Sequence, residues 1–350
     1  MRLRAPRSPW VRAAIVVATL AIAAVVVWWR GPSWGLVVDA FTIVAWRWVL
    51  VALLLNLLSV VARAAAWRAV IDQAMPPPHP TSGQVFSSFS IGLLANAALP
   101  ARAGELVRIG VLRRHLPPRR GLWATLAGTV FAHRVFDLVA VTLLVVYVLV
   151  QARIPAWAVT SLVVLVALGA VLLGVAVAAA RRHTVDVERE LGRIRELVTM
   201  ARHGLGVMRS PLAAAGAILG QIVGWSLQLL AVWAAMHAFR IDEPLAAAAL
   251  VLLLMNVAAI FPLWPGNVGL VQAAVALPLV PYGIQYAHGF AFGIGLQAIE
   301  LSVGVGAGLV FLAREGISFA ALRLLPANQE EGPAPAAVEA RRRERAGVPG

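Results

Sequence analysis

Asn96, Pro100, Arg102, Gly104, Glu105 and Arg108 interrupt a stretch, Val85 to Val111, that is otherwise apolar. Arginine carries a planar, permanently charged fork that matches phosphate, so Arg102 is well suited to hold an anionic head group. Proline removes a backbone donor and glycine frees the backbone, so Pro100 to Gly104 predicts a break between two half-helices. The N-terminus of a half-helix adds free amides and the positive end of its dipole, both favourable to an anion. Glu105 is placed to hold Arg102 or to exchange a proton. The plainer alternative is that Arg102 and Glu105 form an interfacial ion pair that only orients the hairpin.

A second interrupted stretch, Pro244 to Pro281, contains Phe261, Pro262, Pro265, Gly266, Asn267 and Gly269, with Gln272 just beyond. Pro100-x-Arg102-x-Gly104 and Pro265-x-Asn267-x-Gly269 share their spacing. Paired breaks at corresponding places in two halves of a membrane protein point to an inverted-repeat transporter with its site between them. Charge also occurs inside apolar spans, where insertion costs at least about 2.5 kcal/mol at a helix centre. Arg134 and Asp137 are one turn apart and can pair, as a lock in the bundle or as part of a substrate path. Glu300, beside Gln297, has no partner in its own helix. It reads as a substrate or proton site, or as the counter-ion of Arg134 or Arg102. His133 and Asp137 have a spacing that could hold a metal, but no further ligand accompanies them, and no metal or other cofactor is expected.

These residues need elements to carry them, and spanning hydrocarbon takes roughly 20 apolar residues. Val11 to Trp29, Val44 to Val61, Leu122 to Val150, Ala156 to Ala180, Leu212 to Ala238 and Phe290 to Ala313 qualify. The expected fold is therefore all-α, a polytopic bundle of about six spans. Short arginine-rich loops stay cytoplasmic, and arginine concentrates in the N-terminal tail, Ala62 to Gln84, Arg102 to Arg120, Arg181 to Arg209 and beyond Ala313. Both termini are then cytoplasmic. By the same count Val85 to Val111 enters and leaves from the cytoplasm, and Pro244 to Pro281 from outside, so two re-entrant hairpins of opposite orientation are expected. Trp28, Trp29, Trp46 and Trp48 suit the membrane interface.

Composition agrees with this class. Of 350 residues 61% are hydrophobic and 13% charged, more apolar surface than a soluble core could bury. The net charge is +14 and all the basic residues are arginine, a bias that reads as genomic base composition. No aromatic-basic interleaving accompanies the charge, so nucleic acid is not expected as a partner. Cysteine is absent, which excludes disulfides, thiolate metal sites and a cysteine nucleophile. The absence of a Walker A loop, H-E-x-x-H and G-x-S-x-G weighs against ATP-driven transport and common hydrolases. Alternating arginine and acid in about 181–210 predicts a cytoplasmic surface helix that connects spans. Residues 1–325 form the expected membrane domain, and 326–350 a disordered cytoplasmic tail.

The run Asn96, Pro100, Arg102, Gly104, Glu105 and Arg108 resembles the signature of the lysylphosphatidylglycerol synthase transmembrane family, the flippase-like membrane proteins. Phe261 to Gly269 resembles a later segment of that family, and Arg134 with Asp137 its arginine-aspartate pair. The resemblance covers most of the chain up to about Ala313. Two positions depart from it, since His133 and Gln272 stand where the pattern suggests glutamates. No soluble aminoacyltransferase domain follows. The resemblance implies translocation of an anionic phospholipid or a polyprenyl-phosphate-linked lipid across the cytoplasmic membrane, without synthase activity. In that picture the residues of both breaks form the site, with Glu105 and Glu300 tuning its charge. The alternative is an enzyme, or the partner of an enzyme, that transfers a sugar or aminoacyl group to a lipid. The expected partners are a lipid with a phosphate-bearing head group, and a second copy of the chain or a lipid-modifying enzyme.

Overall fold

The computed structural model describes residues 33–99, 103–119, 121–154, 211–260, 267 and 269–319, with helical positions 159, 160, 167 and 171 between them. The first expected span, most of Ala156 to Ala180, the connector, the tail, Pro100, Arg102, Pro265 and Gly266 lie outside the described residues. All regular structure among the described residues is helical. In chain order the helices are α1 (Trp34–Thr42), α2 (Trp46–Ala74), α3 (Ser82–Ala98), α4 (Gly104–Arg113) and α5 (Leu122–Gln151). They continue as α6 (Pro211–Ala238), α7 (Leu245–Ile260), α8 (Leu270–Ala276), a 3₁₀ turn (Leu277–Tyr282) and α9 (Tyr286–Arg314).

Helices α2, α5, α6 and α9 are long and apolar enough to cross a membrane. Leu50, Leu54 and Leu58, one turn apart on α2, are 63%, 61% and 51% exposed. A row of open leucines of this kind is stable against hydrocarbon and costly against water. The chain is an integral membrane protein.

One expected boundary is wrong. The second span was expected to end at Val61, with Ala62 to Gln84 as a loop, yet α2 runs on to Ala74. Alanines 64, 65 and 66 favour helix, and no breaker occurs before Pro76. Arg63 therefore sits inside a long helix instead of in a loop.

Helices α3 and α4 pack against each other as a hairpin, and α7 packs against α8 in the same way. A capping box starts α3: Thr81 Oγ1 accepts from the Gln84 amide at 3.3 Å, and Gln84 Oε1 accepts from the Thr81 amide at 2.8 Å. The two halves of the first hairpin meet at glycines. A Cβ on Gly92 would lie 3.0 Å from both the Gly104 carbonyl and Arg108 Cβ, and one on Gly104 would collide with the Gly92 carbonyl and the Asn96 side chain.

The contacts of α2, the first hairpin and α5 recur for α6, the second hairpin and α9. Helix α2 touches α3 as α6 touches α7, and α4 touches α5 as α8 touches α9. Between the halves, α5 touches α6 and α7 as α9 touches α2 and α3. Helices α2 and α6 pack most closely, with Gly220 against Ala66 and Gly224 against Arg63.

Gly104→Ala is expected to destabilise the first hairpin by about 1–3 kcal/mol through overpacking. The unfolding midpoint of the protein in detergent would fall accordingly, whereas Gly306→Ala, where a Cβ meets nothing within 4 Å, would not lower it.

Candidate functional site

The site begins at the start of α4. Asn96 Oδ1 accepts from the Gly104 amide at 2.9 Å, so the end of α3 caps the first turn of α4 across the intervening break. That cap fixes the direction of α4 and sends Glu105, in its first turn, towards α5. Arg134 Nη2 of α5 donates to Glu105 Oε1, and Arg108 Nη2 lies 2.5 Å from Glu105 Oε2. Arg108 is only 3% exposed. Its guanidinium lies 4.6 Å from the centre of the Trp67 ring and 5.4 Å from that of Phe89, an arrangement that offsets part of the cost of burying it.

The chain of partners continues across the bundle. Arg134 Nη1 donates to Asp137 Oδ2 at 3.0 Å, while Trp225 Nε1 of α6 donates to Asp137 Oδ1 at 3.1 Å. The Trp225 ring carries the Arg63 guanidinium at 4.7 Å. Arg63 Nη2 donates to Gln228 Oε1 at 2.5 Å, and Gln228 Nε2 donates to Glu300 Oε1 of α9 at 3.1 Å. A continuous polar path therefore runs from Arg108 to Glu300 through α4, α5, α6, α2 and α9. At about 1.5 Å per residue, Arg63, Arg134, Asp137 and Glu300 each lie at least roughly 16 Å from either end of their helices.

Charge along this path balances: Arg63, Arg108 and Arg134 face Glu105, Asp137 and Glu300. Arg134 keeps 53% of its side chain accessible at the surface of the bundle.

The second hairpin has a neutral joint in the corresponding place. Asn267 and Gly269 have φ of +45° and +92°, left-handed backbone that turns the chain into α8. Asn267 Nδ2 donates to the Ala258 carbonyl at 3.3 Å. Gln272 Oε1 accepts from the Gly269 amide at 2.6 Å, and Gln272 Nε2 donates to Gln297 Oε1 on α9. Glu105 meets Arg134 at one hairpin, and Gln272 meets Gln297 at the other.

The expected site residues are thus distributed unevenly. Asn96, Gly104, Glu105, Arg108, Arg134 and Asp137 come together. Asn267 and Gly269 form the turn of the other hairpin, and Glu300 lies at the far end of the path. Pro100, Arg102, Pro265 and Gly266 lie outside the described residues. Glu300 was expected to pair with Arg134 or Arg102 if it paired at all, but its hydrogen-bond partner is Gln228. His133 is buried against Gln221 Nε2, 3.1 Å from its Nδ1, and no group of three His, Cys, Asp or Glu side chains converges among the described residues. Sequence reasoning passed over Arg63, Gln221, Trp225 and Gln228. The last three recur at helical spacing on a mostly apolar α6, a stripe that marks a polar face.

The family model described as the lysylphosphatidylglycerol synthase TM region matches residues 15–308. The chain belongs to this family. The match takes in α1 to α8, α9 as far as residue 308, and all of the polar path. No curated protein and no solved structure matches the chain.

Arg108→Met keeps the volume of the side chain but removes the charge that faces Glu105. It is expected to cost about 3 kcal/mol, in the range for breaking a buried pair. Combining it with Glu105→Gln should cost less than the sum of the single changes, with a coupling of about 0.5–3 kcal/mol. Unfolding midpoints of the four proteins in detergent measure both quantities.

Proposed function

We propose that this chain moves a membrane lipid with a phosphate-bearing head group between leaflets, either an anionic phospholipid or a polyprenyl-phosphate-linked lipid. The observation that carries this reading is the charged path from Arg108 to Glu300, four of whose charges lie deep within long helices. Charges in the middle of spanning helices are expensive, and they accompany polar pathways more often than inert packing. Reading Arg102 with the described charges gives four arginines against three carboxylates, namely Arg63, Arg102, Arg108 and Arg134 against Glu105, Asp137 and Glu300. The surplus of one positive charge suits a phosphodiester, which carries one negative charge.

In this reading Arg102, at the break between α3 and α4, holds the phosphate, and the start of α4 contributes its amides. The two hairpins re-enter from opposite faces and the halves of the chain form an inverted repeat. The recurring helix contacts support the repeat, as does the correspondence of the Glu105–Arg134 and Gln272–Gln297 joints. Arginine-rich loops support a cytoplasmic-membrane setting with both termini inside. Because neither His133 nor Gln272 supplies a carboxylate, the charge that guides the head group is concentrated on the first hairpin.

The test is reconstitution into phosphatidylcholine vesicles with a trace of fluorescent phosphatidylglycerol, following loss of signal to an impermeant quencher. Wild type should accelerate lipid movement. Arg102→Ala should slow it by about tenfold or more, and Arg102→Lys, which keeps the charge but loses the fork, by less. Equal rates for wild type and Arg102→Ala would remove the proposed role of this arginine.

A further inference from the structure

We infer that Arg63 is a second phosphate-binding station, to which the head group passes from the first hairpin, with Glu300 as the group that drives it off again. The inference rests on the lipid-transport reading above and concerns a residue that the family signature quoted earlier does not contain.

A guanidinium has five N–H donors. Among the described residues Arg63 uses one of them in a hydrogen bond, from Nη2 to Gln228. Its Nε is buried and has no hydrogen-bond partner. An unmet donor on a charged group deep in a membrane protein is costly unless something fills it part of the time. Arg108 also has unmet nitrogens, but it is enclosed by Trp67 and Phe89 and held by Glu105, which leaves no approach for an anion. Among the described residues Arg63 has no carboxylate in direct contact. Its charge is balanced at a distance by Asp137, which takes the indole N–H of Trp225, and by Glu300, which binds the other end of the same Gln228 amide.

The side chain is also built into place. A Cβ on Gly224 would come within 2.7 Å of Arg63 Cγ, so the glycine makes room for the arginine stem. The adjacent Trp225 ring, 4.7 Å from the guanidinium carbon, supports it from one side, and the side chain as a whole is only part-buried. Trp225 also donates to Asp137, which is bonded to Arg134, so Arg63 is linked through these two side chains to the Glu105–Arg134 pair of the first hairpin. Glu300 then has a definite role. A phosphate on Arg63 would face this carboxylate across Gln228, and the repulsion would weaken its hold and favour release.

Binding to the full-length protein in detergent tests the assignment, with dihexanoyl phosphatidylglycerol as the probe and dihexanoylglycerol as a phosphate-free control. Arg63→Ala should weaken binding of the anionic lipid by about tenfold or more, the loss expected for a charge-assisted bidentate contact. Glu300→Gln keeps the hydrogen bond from Gln228 and should strengthen it by about threefold, a gain that a purely structural role would not produce. Neither change should alter binding of the control. The station is overturned if Glu300→Gln binds the anionic lipid no more tightly than wild type, or if Arg63→Ala affects probe and control equally. Loss of binding in Arg102→Ala but not in Arg63→Ala would overturn the station and leave the transport reading intact. A wild-type protein that binds no anionic lipid would overturn both. Inorganic phosphate should compete only at far higher concentration than the lipid, and equal potency would overturn a lipid head group as the occupant.

Discussion

A charge buried among membrane helices must bring its counter-charge from another element, and the centre of this bundle is arranged around that requirement. Lipid is as apolar as leucine, so apolar contact alone gives little reason for one helix to choose its place beside another. The ion pairs do supply a reason. Glu105 on the short helix α4 takes Arg134 from α5 and Arg108 from its own next turn, and this fixes the depth at which the first hairpin docks. Asp137 extends the constraint to α6 through Trp225. Removing any one member would leave a partner uncompensated, so these elements are held as one electrostatic unit.

Close backbone contacts do the rest, and they depend on residues with no side chain. Gly92 and Gly104 let the arms of the first hairpin meet, and Gly220 and Gly224 let α6 lie against α2. Van der Waals packing of this kind is a principal source of helix association where the hydrophobic effect is absent. It also explains how arginine can occur deep in the bundle, since the space that Gly224 leaves is occupied by the stem of Arg63.

Much of this was legible in the sequence. Apolar length marked α2, α5, α6 and α9, and the proline and glycine of Val85 to Val111 marked the break between α3 and α4. The i,i+3 spacing of Arg134 and Asp137 indicated a pair. Arg63 was missed because arginine near the end of an apolar window looks like a loop residue, and nothing in the local pattern reveals that a helix will continue past it. The partner of Glu300 was missed for a different reason. Gln228 is distant in sequence and neutral, so a search for opposite charge could not find it. Hydrogen bonds between helices depend on rotation about each helix axis, which composition and spacing leave open.

Helix α9 touches both hairpins. Near its start, Gly289 and Gly293 receive Ala276 and Gln272 of α8, and near its end a Cβ on Gly308 would lie 2.9 Å from the Ser90 carbonyl of α3. Both contacts are backbone seats without the slack of long side chains, and a regular helix does not shorten between them. The two hairpins are therefore mounted on one rigid strut. Sliding at one seat must be matched by a shift of the strut or by sliding at the other, which makes α9 a mechanical link between the two ends of the protein.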